Sequence, residues 1–315
     1  MKKAVSIIIC TKNRAESLRQ TLVRMESVIA PRQETTELIV VDNGSTDHTR
    51  KVVESHKTNK YEVHYIWEPN GGQAHARNRG LSVAKSDIIV FTDDDVLPCE
   101  SWLDEHVKGY ADAGISAILG GIEALHIGPL PPEYSRESMD FSTRFGDRTV
   151  KPFTGHLVGA NMSFRRSVID AIGGFNARLG PGRSGFFDDT DFSIRLMRAG
   201  FVQCFEPRAS VQHVIDSSRL RAPACRRMLF QLGISIFVAD EYGASESAWS
   251  QARKLLSSTA GFLKYKLKCL LRREAPKCTH VDLFFAMERG KMWARLQGRQ
   301  RLERLYGDVT QNGSI

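Results

Sequence analysis

The sequence has few cysteines, and none are spaced as a pair. Its six, Cys10, Cys99, Cys204, Cys225, Cys269 and Cys278, form no CxxC. Neither a zinc site nor a thiol redox motif is indicated, and the pattern suits a reducing, cytoplasmic setting. Long hydrophobic runs are also missing. The longest, residues 228–239, is interrupted by Gln231, Gly233 and Ser235, well short of the ~18 apolar residues a transmembrane helix needs. The opening MKKAVSIIIC turns polar before reaching the length of a signal-peptide core, and no small-residue cleavage site follows. No GxGxxG follows the first apolar run, which disfavours a dinucleotide-dependent dehydrogenase. Internal repeats and low-complexity segments are absent as well.

What is present is enough apolar material for a large core: 42% of the 315 residues are hydrophobic. Global disorder is therefore excluded. The net charge of +8 is concentrated at one end. Residues 251–315 carry 14 Lys and Arg against 5 Asp and Glu, so the preceding 250 residues are near neutral at 30 against 31. A basic tail of this kind meets an anionic surface or forms a solvated face.

Short β-branched runs alternate with helical patterns through the first half. Residues 5–10, 38–41, 63–67 and 88–91 read as buried strands. Asn13 with Glu16 reads as a capping box opening a helix that carries Leu18, Leu22, Met25 and Ile29. Ser45 or Thr46 is expected to cap a second helix running to about His56, residues 74–84 a third, and Ser101 with Asp104 a fourth. This order predicts an α/β fold with a mostly parallel central sheet flanked by helices. Ligands of such sheets bind beyond the carboxyl ends of the strands. Residues 11–14, 42–45 and 93–95 should therefore share one edge. Residues 128–152 read as a long loop, patterning returns at 158–164 and 168–172, and basic helices follow from about Leu220.

Several polar groups carry chemical promise. Asp93, Asp94 and Asp95 close an apolar strand, where adjacent carboxylates repel unless something positive joins them. A hard Mg²⁺ or Mn²⁺ ion, itself bound to a diphosphate, would do so; a solvated acidic turn is the plainer alternative. Asp42-Asn43-Gly44-Ser45 suits contact with a nucleobase or simple helix capping. In the segment from Asn70 to Gly80, Arg77 is suited to a diphosphate. Asp188, Asp189 and Asp191 open an expected helix, where free N–H groups favour negative charge; a carboxylate held ionised there can act as a general base. Asp191 reads as a cap. His213, after a β-like run, is a candidate metal imidazole or an ordinary histidine.

In order along the chain, VSIIICTKNR, ELIVVDNGSTD, NGGQAHARNRG, FTDDDV, GANMSFRRSVIDAIGGFNARLG and DDTDFSIRLMRAG resemble the motifs of family 2 glycosyltransferases. The resemblance spans about residues 5–215. It implies a GT-A (nucleotide-diphospho-sugar transferase) fold, a nucleotide-sugar donor, inversion at the anomeric carbon and a divalent metal cofactor, Mn²⁺ or Mg²⁺. It implies donor binding by Thr11, Arg14, Asp42, Asn43, Ser45, Arg77, Asn78, Asp93 and Asp94, with Arg77 near the diphosphate. FTDDDV resembles the acidic DxD turn, so Asp95, Asp93 and His213 are the implied metal ligands. Asp189 is the implied general base, and Asp188 is implied to help bind the acceptor. Many members carry Asp-Asp-Gly-Ser where this chain has Asp42-Asn43-Gly44-Ser45, and Glu where it has Asp188. A catalytic domain is expected over 1–215, with a nucleotide-sugar half to about residue 100 and an acceptor half after it. A basic helical extension then occupies 216–315.

Along that extension, Arg219, Arg221, Arg226 and Arg227 precede a stretch in which Lys264, Lys266, Lys268, Arg272 and Arg273 interleave with Phe262, Leu263, Leu267, Leu270 and Leu271. Such a stretch lies on an anionic membrane, packs on the catalytic domain or makes a dimer contact. The expected enzyme is cytoplasmic, with peripheral attachment to the inner face of the membrane and a saccharide or lipid-linked acceptor of polysaccharide synthesis. A sugar nucleotidyltransferase is the competing enzyme class, but residues 11–14 lack its glycine-rich, lysine-bearing loop. A non-catalytic nucleotide-sugar-binding module sits poorly with the intact acidic sets. Nucleic acid is not an expected partner, because no reader motif accompanies the basic tail.

Overall fold

The computed structural model describes residues 5–31, 36–56, 58, 61–132, 155–240, 247–271 and 280–306. The loop expected at 128–152 lies outside them from residue 133 onward. Arg272 and Arg273 also lie outside, as do the side chains of Phe262, Lys266, Lys268, Leu270 and Leu271.

Four strands build the first half of the sheet: β1 (Val5–Thr11), β2 (Thr36–Asp42), β3 (Glu62–Trp67) and β4 (Ile88–Asp93). All pair in parallel, with β1 between β2 and β4, and β3 beyond β2. The continuous apolar runs have a physical reason, since β1 and β2 are covered on both faces and β2 is buried at every position. Crossovers run through α1 (Ala15–Ile29), α2 (Thr49–Ser55) and α3 (Gln73–Val83). On α1, Leu18, Leu22, Met25 and Ile29 are all buried, as their spacing predicts.

The caps differ from the expectation. Asn13 takes a left-handed φ of 53° and accepts from the Thr46 backbone N–H through its side chain. Glu16 pairs instead with Arg19. Asp47 does the capping: one carboxylate oxygen accepts from Ala15 N at 3.1 Å and the other from Thr49 N at 3.0 Å. One side chain thus closes the N-termini of α1 and α2 together. Ser45 accepts from the Asn13 N–H, and neither it nor Thr46 caps α2.

The second half of the sheet is mixed. After β5 (Val96–Pro98) and α4 (Trp102–Gly109) come β6 (Ile115–Ile127), β7 (Asn161–Arg165) and the 15-residue β8 (Val202–Asp216). Among the described residues the whole forms one eight-stranded sheet in the order β3-β2-β1-β4-β7-β6-β8-β5. β7 runs antiparallel to β4 and β6, and β5 antiparallel to β8. Three helices cover this half, α4, α5 (Arg166–Ile172) and α6 (Asp188–Arg198). Phe91, Phe164, Phe175 and Phe192 form its aromatic centre, with Phe175 stacked on Phe192 at 4.6 Å.

A short 3₁₀ turn, Ser217–Leu220, leads to α7 (Ala222–Ala239), α8 (Ala248–Leu271), α9 (His280–Gln297) and α10 (Arg299–Tyr306). Ile234, Phe237 and Val238 of α7, Ala294 of α9 and Leu302 of α10 bury themselves with Leu179 and Phe187. These helices therefore pack on the loop that precedes α6. No helix among the described residues is long and apolar enough to cross a membrane.

Candidate active site

The carboxyl ends of β2, β1 and β4 meet at one edge. Thr11 lies opposite Asp42 in the register, and Cys10 lies opposite Asp93. The polar groups that follow these strands converge there, as the alternation predicts.

Asp94 and Asp95 are held by the chain's own cations. Thr11 Oγ1 donates to Asp94 Oδ2 at 2.7 Å, and Arg14 Nη1 bridges Asp94 Oδ1 at 3.0 Å and Asp95 Oδ2 at 2.6 Å. His213 Nε2 lies 3.2 Å from Asp95 Oδ1, and Arg219 Nη1 lies 3.6 Å from Oδ2. The backbone explains His213's position: β5 pairs with β8 so that Val96 lies opposite His213, and Val214 N donates to the Asp95 carbonyl. Burial works to raise the Asp95 pKa, but His213, Arg14 and Arg219 overcome it and hold the carboxyl below its ordinary value. His213 is displaced in the opposite sense. Burial lowers its pKa, and Asp95, with Asp93 behind it, raises it to a net gain.

Asp93 differs from its neighbours. It is half-buried and receives one distant contact, from Gln73 Nε2 at 3.5 Å. Burial pushes its pKa up to about 6, opposed by Arg77 and reinforced by Asp95. Arg77 and His213 act on its carboxyl through space and only partly offset burial. The set of Asp93, Asp95 and His213 offers carboxylate oxygens, which suit Mn²⁺ or Mg²⁺, beside an imidazole better matched to Mn²⁺ than to Mg²⁺.

Arg77 and Asp188 come together more closely than the motifs suggested. Arg77 Nη1 donates to Asp188 Oδ2, and each side chain is 4% exposed. The guanidinium also lies over Phe175, 5.3 Å from its ring centre. The charge expected at the diphosphate is thus spent inside the protein, tying α3 to the start of α6. Gly159 and Gly180 make room for the pair. A Cβ on Gly159 would overlap the Arg77 guanidinium, and one on Gly180, where φ is +84°, would come 2.8 Å from the Asp188 carboxyl carbon. Asp188, expected at the acceptor, is likewise taken up by Arg77.

Asp189, next along α6, is half-buried and accepts from Gly159 N at 2.9 Å and from Thr190 N at 2.7 Å. Asp191 pairs with Arg195 one turn on rather than capping the helix. The two acidic sets belong to one electrostatic neighbourhood, since Arg77 is stabilised by Asp188, Asp189 and Asp93 together.

Other expected donor contacts serve the scaffold. Asn43 donates to the Asn70 carbonyl at 2.7 Å and accepts from Gly72 N at 2.8 Å, fixing the 68–72 turn. Asn78 grips Phe175 by both backbone groups, donating to its carbonyl and accepting from its N–H. Asp42 accepts from Tyr65 Oη at 2.9 Å and Ser45 N at 2.8 Å. Three participants were missed by sequence reasoning. Arg219, assigned to the basic tail, faces Asp95. Gln73 reaches Asp93. Arg183 donates to the Gly71 carbonyl at 2.8 Å and lies 3.2 Å from His75 Nε2, docking a glycine-rich loop on the turn before α3. The three glycines among residues 180–185 were the available signal for that loop.

Known proteins with these features are transferases. The family model described as "Glycosyl transferase family 2" matches residues 6–173, more than half of the chain. The chain is 27% identical over 215 residues to the pre-mycofactocin glycosyltransferase of Mycobacterium tuberculosis, covering 66% of this chain and 42% of that one. It is 26% identical over 184 residues to the glucosyl-dolichyl phosphate glucuronosyltransferase of Haloferax volcanii, covering 56% and 57%. The matches thus take in less than two-thirds of either relative. A mannosyltransferase from Pyrobaculum calidifontis, solved with GDP-Man and Mn²⁺, superposes with a TM-score of 0.62 at 19% identity, covering 94% of this chain and 87% of that one. With a GT-A fold and these motifs on its strand ends, the chain belongs to glycosyltransferase family 2.

Proposed function

We propose that the chain is an inverting, metal-assisted glycosyltransferase that moves a sugar from its nucleotide-sugar donor to a hydroxyl of a saccharide or lipid-linked acceptor in cell-surface glycoconjugate synthesis. One observation carries the reading: Arg77 pairs with Asp188 at the start of α6 and acts electrostatically on Asp93 at the end of β4, so the acidic set that would hold a metal and the one that would supply a base share one neighbourhood. On this reading residues 1–215 are the catalytic unit and 216–315 its extension.

Asp93, Asp95 and His213 would hold a divalent cation, whose charge offsets that of the diphosphate leaving group. Arg14 and Arg219 line the same carboxylates and add positive charge for the diphosphate. Thr11, Asp42, Asn43 and Ser45 shape the nucleoside side of the cleft. Asp189 takes the acceptor hydroxyl proton as that oxygen attacks the anomeric carbon from the face opposite the leaving group. The N–H groups of Gly159 and Thr190 keep its carboxylate aimed. Asp188 supports it from behind through Arg77.

The exposed side of α8 supports membrane attachment. Leu256, Ala260, Leu263 and Leu267 recur at helical spacing and are all exposed, with Arg253 and Lys264 beside them. An anionic surface on the cytoplasmic face is the partner this stripe fits, and a lipid-linked acceptor would be found there. The Haloferax relative's name places its own acceptor on dolichyl phosphate.

The test is a thermal-shift panel of UDP-, GDP- and dTDP-sugars with and without Mn²⁺. A matching donor at 100 times its Kd adds about 2.7 kcal/mol of stability. No stabilisation by any donor, with no sugar released, would overturn the reading.

A further inference from the structure

At the end of the sheet opposite the cleft, Glu37 opens β2 beside the edge strand β3. In the parallel register Glu37 lies opposite Glu62, and Ile39 lies opposite His64. Alternation puts Glu62 and His64 on one face of β3, the face Glu37 shares. Two carboxylates facing each other across a pair of strands are unfavourable unless a positive group joins them.

Glu37 is fully buried, which is costly for a carboxylate. Its Oε1 accepts from Ser6 Oγ and from Lys85 N at 2.8 Å. Its Oε2 has no hydrogen-bond partner and neither has His64 Nε2, although both atoms are buried. These two orphans face each other at 3.5 Å, and His64 Nε2 lies 3.5 Å from Glu62 Oε2 as well. That spacing is long for a hydrogen bond. It matches the edge of a tetrahedron, about 3.4 Å, built on metal–ligand bonds of about 2.1 Å. Ligand atoms of all three residues lie within 4.8 Å of one another, and this is the one such triad among the described residues.

We propose that Glu37, Glu62 and His64 form a second metal site, separate from the cleft, for a borderline transition-metal ion of the Zn²⁺ class. Two carboxylate oxygens and one imidazole nitrogen supply three ligands, and water completes a tetrahedron. Hard Mg²⁺ would leave the imidazole poorly matched. The ion satisfies the buried Glu37 oxygen, cancels the facing carboxylates and clips β3, an edge of the sheet, to β2. It is structural, because it stands at the amino ends of the strands while the cleft stands at their carboxyl ends.

The test is calorimetric titration of the full chain with Zn²⁺ alone at neutral pH, without nucleotide, alongside Glu62→Gln, His64→Gln and Asp95→Asn. Glu62 is exposed, so Glu62→Gln leaves folding intact and guards against a variant that fails to fold. The expected result is one saturable site and a Zn²⁺-dependent rise in Tm. Both effects weaken at least about tenfold in Glu62→Gln and His64→Gln and persist in Asp95→Asn. The absence of saturable Zn²⁺ binding overturns the proposal. So does binding unchanged in Glu62→Gln and His64→Gln, or binding lost in Asp95→Asn alone, which would place the ion in the cleft.

Discussion

Arg77 and Asp188 stand 111 residues apart in the chain and face each other as a buried ion pair between α3 and the N-terminus of α6. Burial would raise the Asp188 pKa and lower that of Arg77, and each partner offsets the other's cost. Removing one leaves an unpaired charge in the interior. Arg77→Ala is expected to cost about 3–5 kcal/mol in urea denaturation, whereas Arg77→Met with Asp188→Leu regains most of that loss. A single variant costing under about 1 kcal/mol would mean that the guanidinium serves ligands and not the fold. Gly159→Ala should act through the same pair, since its methyl displaces the guanidinium, at about 1–3 kcal/mol.

The proposed division of labour between the two acidic sets separates chemistry from binding. Asp189→Asn keeps its size and its place at the start of α6 but loses the basic oxygen. It should lower kcat about 10²–10⁴-fold while the donor Kd stays unchanged. Asp95→Ala should instead weaken donor binding measured with Mn²⁺ present. Donor calorimetry and single-turnover rates on both variants check this. An Asp189→Asn enzyme with full turnover removes the base, and unaltered Mn²⁺-dependent binding in Asp95→Ala removes the ligand.

What was legible in the sequence follows the range of each interaction. β1 and β2 were readable because burial on both faces demands unbroken apolar runs, and parallel order then fixed which edge Thr11, Asp42 and Asp93 share. The capping of α1 was misread because Asp47 reaches Ala15 across 32 residues, a contact no local pattern encodes. β5 and β6 were not read as strands. β5 has only three residues, and β6 is buried through its first half and alternates only in its second. The site's residue types were readable, but their pairings were not. Nothing near Arg77 in sequence announces Asp188, and nothing near Arg219 announces Asp95.

The α8 stripe gives a prediction independent of catalysis. Replacing Leu256, Leu263 and Leu267 with Ser removes exposed apolar surface and nothing from the core. The triple variant should keep its thermal stability yet stop sedimenting with vesicles rich in anionic lipid. For the unaltered chain, sedimentation should fall as salt is raised, because Arg253 and Lys264 act through a screened field. Equal sedimentation of the triple variant and the parent would assign attachment elsewhere.

The last prediction concerns acid stability and rests on His106, which is wholly buried beneath the mixed half of the sheet. Asn161 is oriented by its Nδ2, which donates to the carbonyls of Gly121 and Ala209, so its Oδ1 faces His106 as an acceptor. His106 therefore carries its proton on Nε2, and Nδ1 accepts from Ser163 Oγ, which in turn accepts from the Tyr110 hydroxyl. A second ring proton would force the Ser163 and Tyr110 hydroxyls to reverse their hydrogen bonds. Burial lowers the pKa from 6.5 to about 4, against smaller opposing effects of Asn161 and Glu206. Between those values the unfolded chain binds a proton that the folded chain refuses. Stability is thus whole above pH 6.5, declines as pH falls toward 4 and levels off below it, a loss of about 3 kcal/mol from this group. His106→Gln keeps a donor and an acceptor but does not titrate, so the variant's denaturation midpoint should fall less steeply across that window than the parent's. Parallel curves for the two proteins would move the acid sensitivity to the carboxylates of the cleft.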